Sequence, residues 1–225
     1  MNRSTDPDGV KYSAACQTNG RRQETFTKEN VHGLFGQLIQ TWKQGHPGQF
    51  PAHVIYFRDG LSNGEFAACL ENELAEIKSW LRLNAANAPM PKFTVLCATK
   101  RHHVRMFPAR GDRNGNALPG TMLEKEAVSP RLFDWYLTAH VAIQGTARPA
   151  HYHVLLNEMT EMTPGDLQKM IYEQCYTYAR STTPVSIHPA ICYAHLAAAR
   201  ARAHENVAAS EGTSRCPISL GIYRS

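Results

Sequence analysis

Nowhere in the 225 residues do about 18 apolar residues follow one another, so the chain lacks the run that a membrane-spanning helix needs. The amino end also lacks the pattern of a secretory signal. The six cysteines (Cys16, Cys69, Cys97, Cys175, Cys192 and Cys216) form no Cys-x-x-Cys and lie mostly within apolar runs. That argues against a zinc ribbon or a redox dithiol, and reads as reduced packing residues of an intracellular protein. No internal repeat and no low-complexity linker is visible, so one domain, or a large piece of one, is expected. With 43% hydrophobic and 19% charged residues, the composition is globular. A net charge of +5, with eleven histidines counted as neutral, suggests a partner that carries phosphates.

What is present is an alternation of strand and helix patterns. Residues 1–10 are polar and aperiodic, a flexible lead-in. Lys11 to Thr18 is expected as a strand and is followed by a charged loop holding Glu24. Val31, Leu34, Phe35, Leu38, Ile39 and Trp42 recur at the spacing of one buried helix face, with Thr27 as cap. The apolar strand Val54 to Phe57 ends in Arg58-Asp59-Gly60. Ser62 and Glu65 then stand at capping-box spacing before a second amphipathic helix through Leu81. Further strands are expected over Lys92 to Thr99, Thr121 to Val128, Trp135 to Ile143 (carrying His140) and His151 to Leu156, with a short helical turn at Ser129-Pro130. Thr163-Pro164 caps a helix expected to include Tyr178, and an Ala-rich helix is expected over Ile191 to Ala208.

Three sets of side chains could carry chemistry. The pairs His102-His103 and His151-x-His153 could ligate zinc, but a third ligand in register is not evident, and several of these histidines lie beside Lys or Arg, where a divalent cation costs Coulomb energy. Glu24, Asp59 and His195 form an acidic and imidazole set. Hydrolysis of a phosphodiester with two magnesium ions needs hard oxygen ligands of this kind. Singly, each has a plain alternative as surface charge, turn residue or helix-face histidine. Lys100, Arg101, His103, Arg105, His140, Arg148, Arg180, Arg200 and Arg202 follow strands or lie near helix ends, where they could line a groove that grips RNA phosphates.

Four segments together carry a resemblance: Ile55-Tyr56-Phe57-Arg58-Asp59-Gly60-Leu61-Ser62, Lys100-Arg101-His102-His103 with Arg105, Ile143-Gln144-Gly145-Thr146 through His151-Tyr152-His153-Val154, and Tyr193-Ala194-His195-Leu196 with Arg200 and Arg202. In this order they are similar to the PIWI domain of eukaryotic Argonaute proteins, from about Lys11 to about Glu205. The resemblance implies an α/β fold, an RNase H-like mixed sheet flanked by helices, with residues 11–225 as a partial PIWI domain. It also implies a small guide RNA and a complementary target RNA as partners, Mg2+ or Mn2+ as cofactor, and MID, PAZ and amino-terminal domains beside it. A cytoplasmic, also nuclear, location follows from the same likeness.

By motif, Asp59, Glu24 and His195 resemble catalytic residues, with Asp59 and His195 as metal ligands. Lys100, Arg101, His103, Arg105, His140, Arg148 and Arg200 resemble guide contacts, as do Tyr178, Arg180 and Ser186. The family's first catalytic aspartate, on the first strand of its fold, has no counterpart; Asp6 and Asp8 lie in the polar lead-in. The first strand is therefore expected to be missing, and cleavage by this chain alone to be negligible. The polar ending Leu220 to Ser225 also departs from the family's apolar carboxyl terminus. Two readings stand: a slicing domain in its complete form, or a guide- and target-binding module that does not cut.

Overall fold

The computed structural model describes residues 12–17, 26–85 and 88–203. Among these residues, five strands form one mixed sheet in the order β1-β2-β5-β4-β3. They are β1 (His53–Asp59), β2 (Lys92–Thr99), β3 (Thr121–Leu123), β4 (Phe133–Thr138) and β5 (Ala150–Asn157). Only β1 and β2 run parallel, with Val54 opposite Phe93 and Asp59 opposite Ala98; the other pairings are antiparallel. A parallel connection needs a crossover, and the helical stretch after β1 provides it.

Helix α1 (Lys28–Gly45) begins where the Thr27 hydroxyl accepts the Asn30 N–H, as the sequence suggests. Its apolar stripe Val31, Phe35, Leu38, Ile39 and Trp42 is buried against the face of the sheet that presents Val54, Tyr56, Phe93 and Val95. On the opposite face, Ile55, Phe57, Leu96, Trp135 and Tyr152 pack with Leu167 and Ile171 of α4 (Pro164–Gln174) and Ile191 of α5 (Pro189–Ala203). Both faces of β1 and β2 are thus covered, which is why Val-Ile-Tyr-Phe and Phe-Thr-Val-Leu-Cys-Ala are buried without alternation. Each fully buried Leu, Ile or Phe here contributes about 1.5–3 kcal/mol over an exposed one.

The crossover is a single helical stretch of changing pitch. A 3-10 turn (Asn63–Glu65) and α2 (Phe66–Ala68) lead into a π-helical segment (Cys69–Leu74), which continues as α3 (Ala75–Asn84). The wider turn lets Cys69, Glu73 and Leu74 all face inward before the stripe resumes at Ile77 and Leu81. The Glu65 carboxylate accepts the Ser62 N–H at 2.8 Å and the Ser62 hydroxyl at 2.6 Å, closing the expected start.

Several expected boundaries differ. Between Tyr12 and Gln17 there is one isolated bridge residue, Tyr12, and no strand. Expected Thr121 to Val128 pairs only through Leu123, because the exposed Glu124 to Glu126 end it and Glu126 turns with φ 67. The expected strand through Ile143 stops at Thr138: Val141 and Ile143 are 50% and 98% exposed, so the described residues supply no layer there for them to pack on. His140 therefore lies on a loop. Ser129-Pro130 forms bends, not a helical turn, and Tyr178 lies beyond the end of α4 at Gln174. Helix α5 starts at Pro189, two residues earlier than its periodicity suggests, and the expected end at Ala208 is outside the described residues.

Candidate nucleic-acid interface and catalytic edge

Because β1 and β2 are parallel and in register, their carboxyl ends reach the same edge of the sheet, with Asp59 ending one and Lys100 following the other. Gly60 then reverses the chain with φ 69, a conformation open to glycine, while its N–H stays bonded to the Ala98 carbonyl at 3.1 Å. Helix α5 crosses this edge. Its His195 Nε2 lies 2.7 Å from Asp59 Oδ2, both side chains being about half exposed. The hydrogen bond to Asp59 raises the His195 pKa above the ordinary 6.5 against the opposing effect of partial burial. The imidazolium–carboxylate pair therefore persists above pH 6.5 and is lost as pH rises through the elevated His195 value. Histidine NMR titration in metal-free buffer should place His195 above 6.5, and Asp59→Asn should bring it down; an unchanged value in the variant would dissolve the pairing.

The strand register fixes Asp59 through its neighbour. Arg58, on the opposite face, is buried in an ion pair with Glu73 of the π-helical segment: Nε donates to Oε2 at 3.0 Å and Nη2 to Oε1 at 3.2 Å. The Tyr56 hydroxyl donates to the same carboxylate at 2.7 Å. Strand end and crossover helix are thereby tied two residues before the turn at Gly60. The alternation of sheet faces then leaves Asp59 directed away from this pair.

A second group sits beside the first. Lys100 Nζ donates to Ser186 Oγ at 2.5 Å. Burial, then the charge of Arg148, lowers the Lys100 pKa. His140 is pushed down to about 4 by burial and by Lys100, and its buried Nδ1 has no hydrogen-bond partner among the described residues. Lys100, His140, Arg148 and Ser186 thus gather around one position, although they come from four separate segments. His188, two residues after Ser186, is fully buried, stacked on Phe57 at 4.0 Å and bonded to Gln174 Oε1 at 2.5 Å. Cys192 of α5 is within electrostatic reach of both Lys100 and Asp59, so the basic and acidic groups share one edge.

The remaining candidates are less gathered. Arg101 and His103 are exposed, as are Arg180 and Arg200. Arg105 donates to the carbonyls of His102 and Val104, pinning its own loop. The Tyr178 ring lies 4.9 Å from that of Tyr193 on α5. Glu24 lies outside the described residues. Sequence reasoning missed Glu73 and Asp134. Glu73 had a signal, a lone acid on the apolar stripe of the crossover helix; Asp134 had a weaker one, an acid at the start of a strand.

A mixed sheet flanked by helices, with a carboxylate and an imidazole at the parallel strand ends and basic residues beside them, defines an RNase H-like α/β domain. The comparisons agree: the Piwi domain family model matches residues 1–206, and the chain belongs to that family. It is 39% identical over 215 residues to the protein argonaute of Schizosaccharomyces pombe, covering 92% of this chain and 25% of that protein. It is 43% identical over 173 residues to protein argonaute 5 of Arabidopsis thaliana, covering 74% and 17%. The C-terminal lobe of a budding yeast Argonaute superposes with a TM-score of 0.74 at 30% identity, covering 82% of this chain and 39% of that one. The Kluyveromyces polysporus Argonaute with a guide RNA gives 0.71 at 30% identity, covering 79% and 23%. The chain thus spans a quarter or less of the length of these curated relatives. No helix among the described residues is long and apolar enough to cross a membrane.

Proposed function

We propose that this chain is the part of an RNA-silencing protein that holds a small guide RNA and its complementary target, and that the whole protein cuts the target at Asp59. The observation that carries the reading is the shared strand-end edge, where the Asp59–His195 pair stands beside the Lys100, His140, Arg148 and Ser186 group. The solved Kluyveromyces relative, described with a guide RNA, supports the choice of ligand.

The donors suit a hard divalent cation in part. Asp59 offers a half-exposed carboxylate, and Mg2+ is usually held by one or two carboxylates together with substrate phosphates and water. The His195 nitrogen suits Mn2+ better. With Glu24, these are the residues that would hold the ion, which when bound polarises the phosphate and lowers the pKa of an attacking water. Without the ion, His195 keeps a proton at Nε2 against Asp59; with the ion bound, that nitrogen would give up the proton to serve as a ligand. Lys100 and the Ser186 hydroxyl hold a phosphate, and exposed Arg101, His103, Arg148, Arg180 and Arg200 extend the contact along the strand.

The reading that the protein binds without cutting uses the same basic residues and leaves Asp59 idle. Guide binding tests what the two share. Lys100→Ala with Arg101→Ala in the full-length protein should weaken guide RNA binding and reduce the slope of log affinity against log salt by roughly 0.7 for each lost phosphate contact. An unaltered slope would remove these residues from the RNA path.

A further inference from the structure

We propose that Asp134, His151 and His153 form a binding site for a divalent transition-metal ion of the zinc class, apart from the Asp59 edge and structural in role. His151 and His153 are two residues apart on β5 and so share a face of the sheet, and Asp134 on β4 pairs directly with His153. One ligand atom from each of the three lies within 4.8 Å of the others. All three are buried, Asp134 to 4%, His151 to 9% and His153 to 8% exposure. Strand β2 separates this cluster from β1 and its Asp59 on the other side of β5.

Hydrogen bonding alone leaves the cluster incomplete. Asp134 Oδ2 lies 2.7 Å from His151 Nε2, but 3.9 Å from His153 Nδ1. That nitrogen is buried, aimed at the carboxylate and, among the described residues, without a hydrogen-bond partner. A bound ion would use it. Zinc–nitrogen and zinc–oxygen bonds of about 2.0–2.1 Å place tetrahedral ligand atoms about 3.3 Å apart, between the two separations that the Asp134 carboxylate makes with the imidazoles.

The surroundings fit a held ion. Asp134 Oδ1 accepts the Ser129 N–H at 3.0 Å, fixing the carboxylate from behind. Tyr136 stacks on His151 at 3.9 Å and Phe66 covers His153 at 5.3 Å, limiting both rings to small movements. Two of the three donors are imidazole nitrogens and the third is a carboxylate oxygen. Among the described residues, the ion-pair partners of Asp134 are these two histidines, so a divalent cation between the three would balance the charge of a buried carboxylate. Two nitrogens and one oxygen are a borderline set that favours zinc over magnesium or calcium. The third ligand in register, which the sequence did not reveal, comes from a strand 17 residues away.

Zinc binding to the purified, chelator-treated protein tests this, read by metal stoichiometry and by the visible spectrum after cobalt substitution. We expect one zinc per chain and the intense bands of tetrahedral cobalt. Asp134→Asn and His153→Gln should each weaken zinc by at least about tenfold, while Asp59→Asn keeps it. Only weak octahedral cobalt bands in the wild type, or no stoichiometric zinc, would overturn the site, and neither result depends on a variant folding. Retention of wild-type affinity in both cluster variants, or its loss in Asp59→Asn, would overturn it as well.

Discussion

Asp59→Asn in the full-length protein is expected to reduce guide-directed cleavage of a matched RNA by at least a factor of about 10²–10³, with guide affinity nearly unchanged. The size follows from the task. A carboxylate that holds a divalent cation against the scissile phosphate contributes several kcal/mol of stabilisation to developing charge, and each 1.4 kcal/mol or so is tenfold in rate. Asparagine keeps the shape of the strand end but removes the charge. The basic residues beside it remain, so binding should persist. Single-turnover cleavage with Mg2+ or Mn2+, alongside guide binding, separates the two quantities. Equal cleavage by wild type and variant would take catalysis away from this edge and leave the non-cutting reading in possession.

The largest stability loss is expected at Glu73. Its carboxylate is 1% exposed and accepts from Arg58 Nε, Arg58 Nη2 and the Tyr56 hydroxyl. Glu73→Ala would leave the 5% exposed Arg58 guanidinium charged and without this partner. Breaking one side of a buried ion pair costs about 3–5 kcal/mol, because the surviving charge stays out of water. For a domain of this size that corresponds to roughly 10 °C in Tm. Urea unfolding and thermal melts check it. A loss below about 1 kcal/mol would mean that water reaches Arg58, so that the pair does not anchor β1 to the crossover helix.

Helix α1 was legible in detail because its stripe repeats over about three turns and its cap is local: Thr27, Val31, Phe35, Ile39 and Trp42 need no distant partner to be recognised. The strand ending at Asp59 was legible for a similar reason, an apolar run broken by charge and glycine. The π-helical segment was not, because its cause is the distant Arg58 and Tyr56 that draw Glu73 inward. Nor were the short β3 and the early end of β4. Thr121 to Val128 and Trp135 to Ile143 both have strand-like composition, but pairing and an opposing layer are properties of the folded chain.

At the site, sequence singled out Asp59 and His195, 136 residues apart. Their types and flanking residues marked them as candidates, and the register of β1 with β2 and the course of α5 put them 2.7 Å apart. The same holds for Lys100 and Ser186, and for Asp134 with His151 and His153. Periodicity, caps and turn residues act over a few positions, so the sequence alone determined which segments are helices and strands and which side chains could bear charge. Only the tertiary structure decided which of them meet, because sheet order and strand register set those distances and depend on the burial of both sheet faces at once.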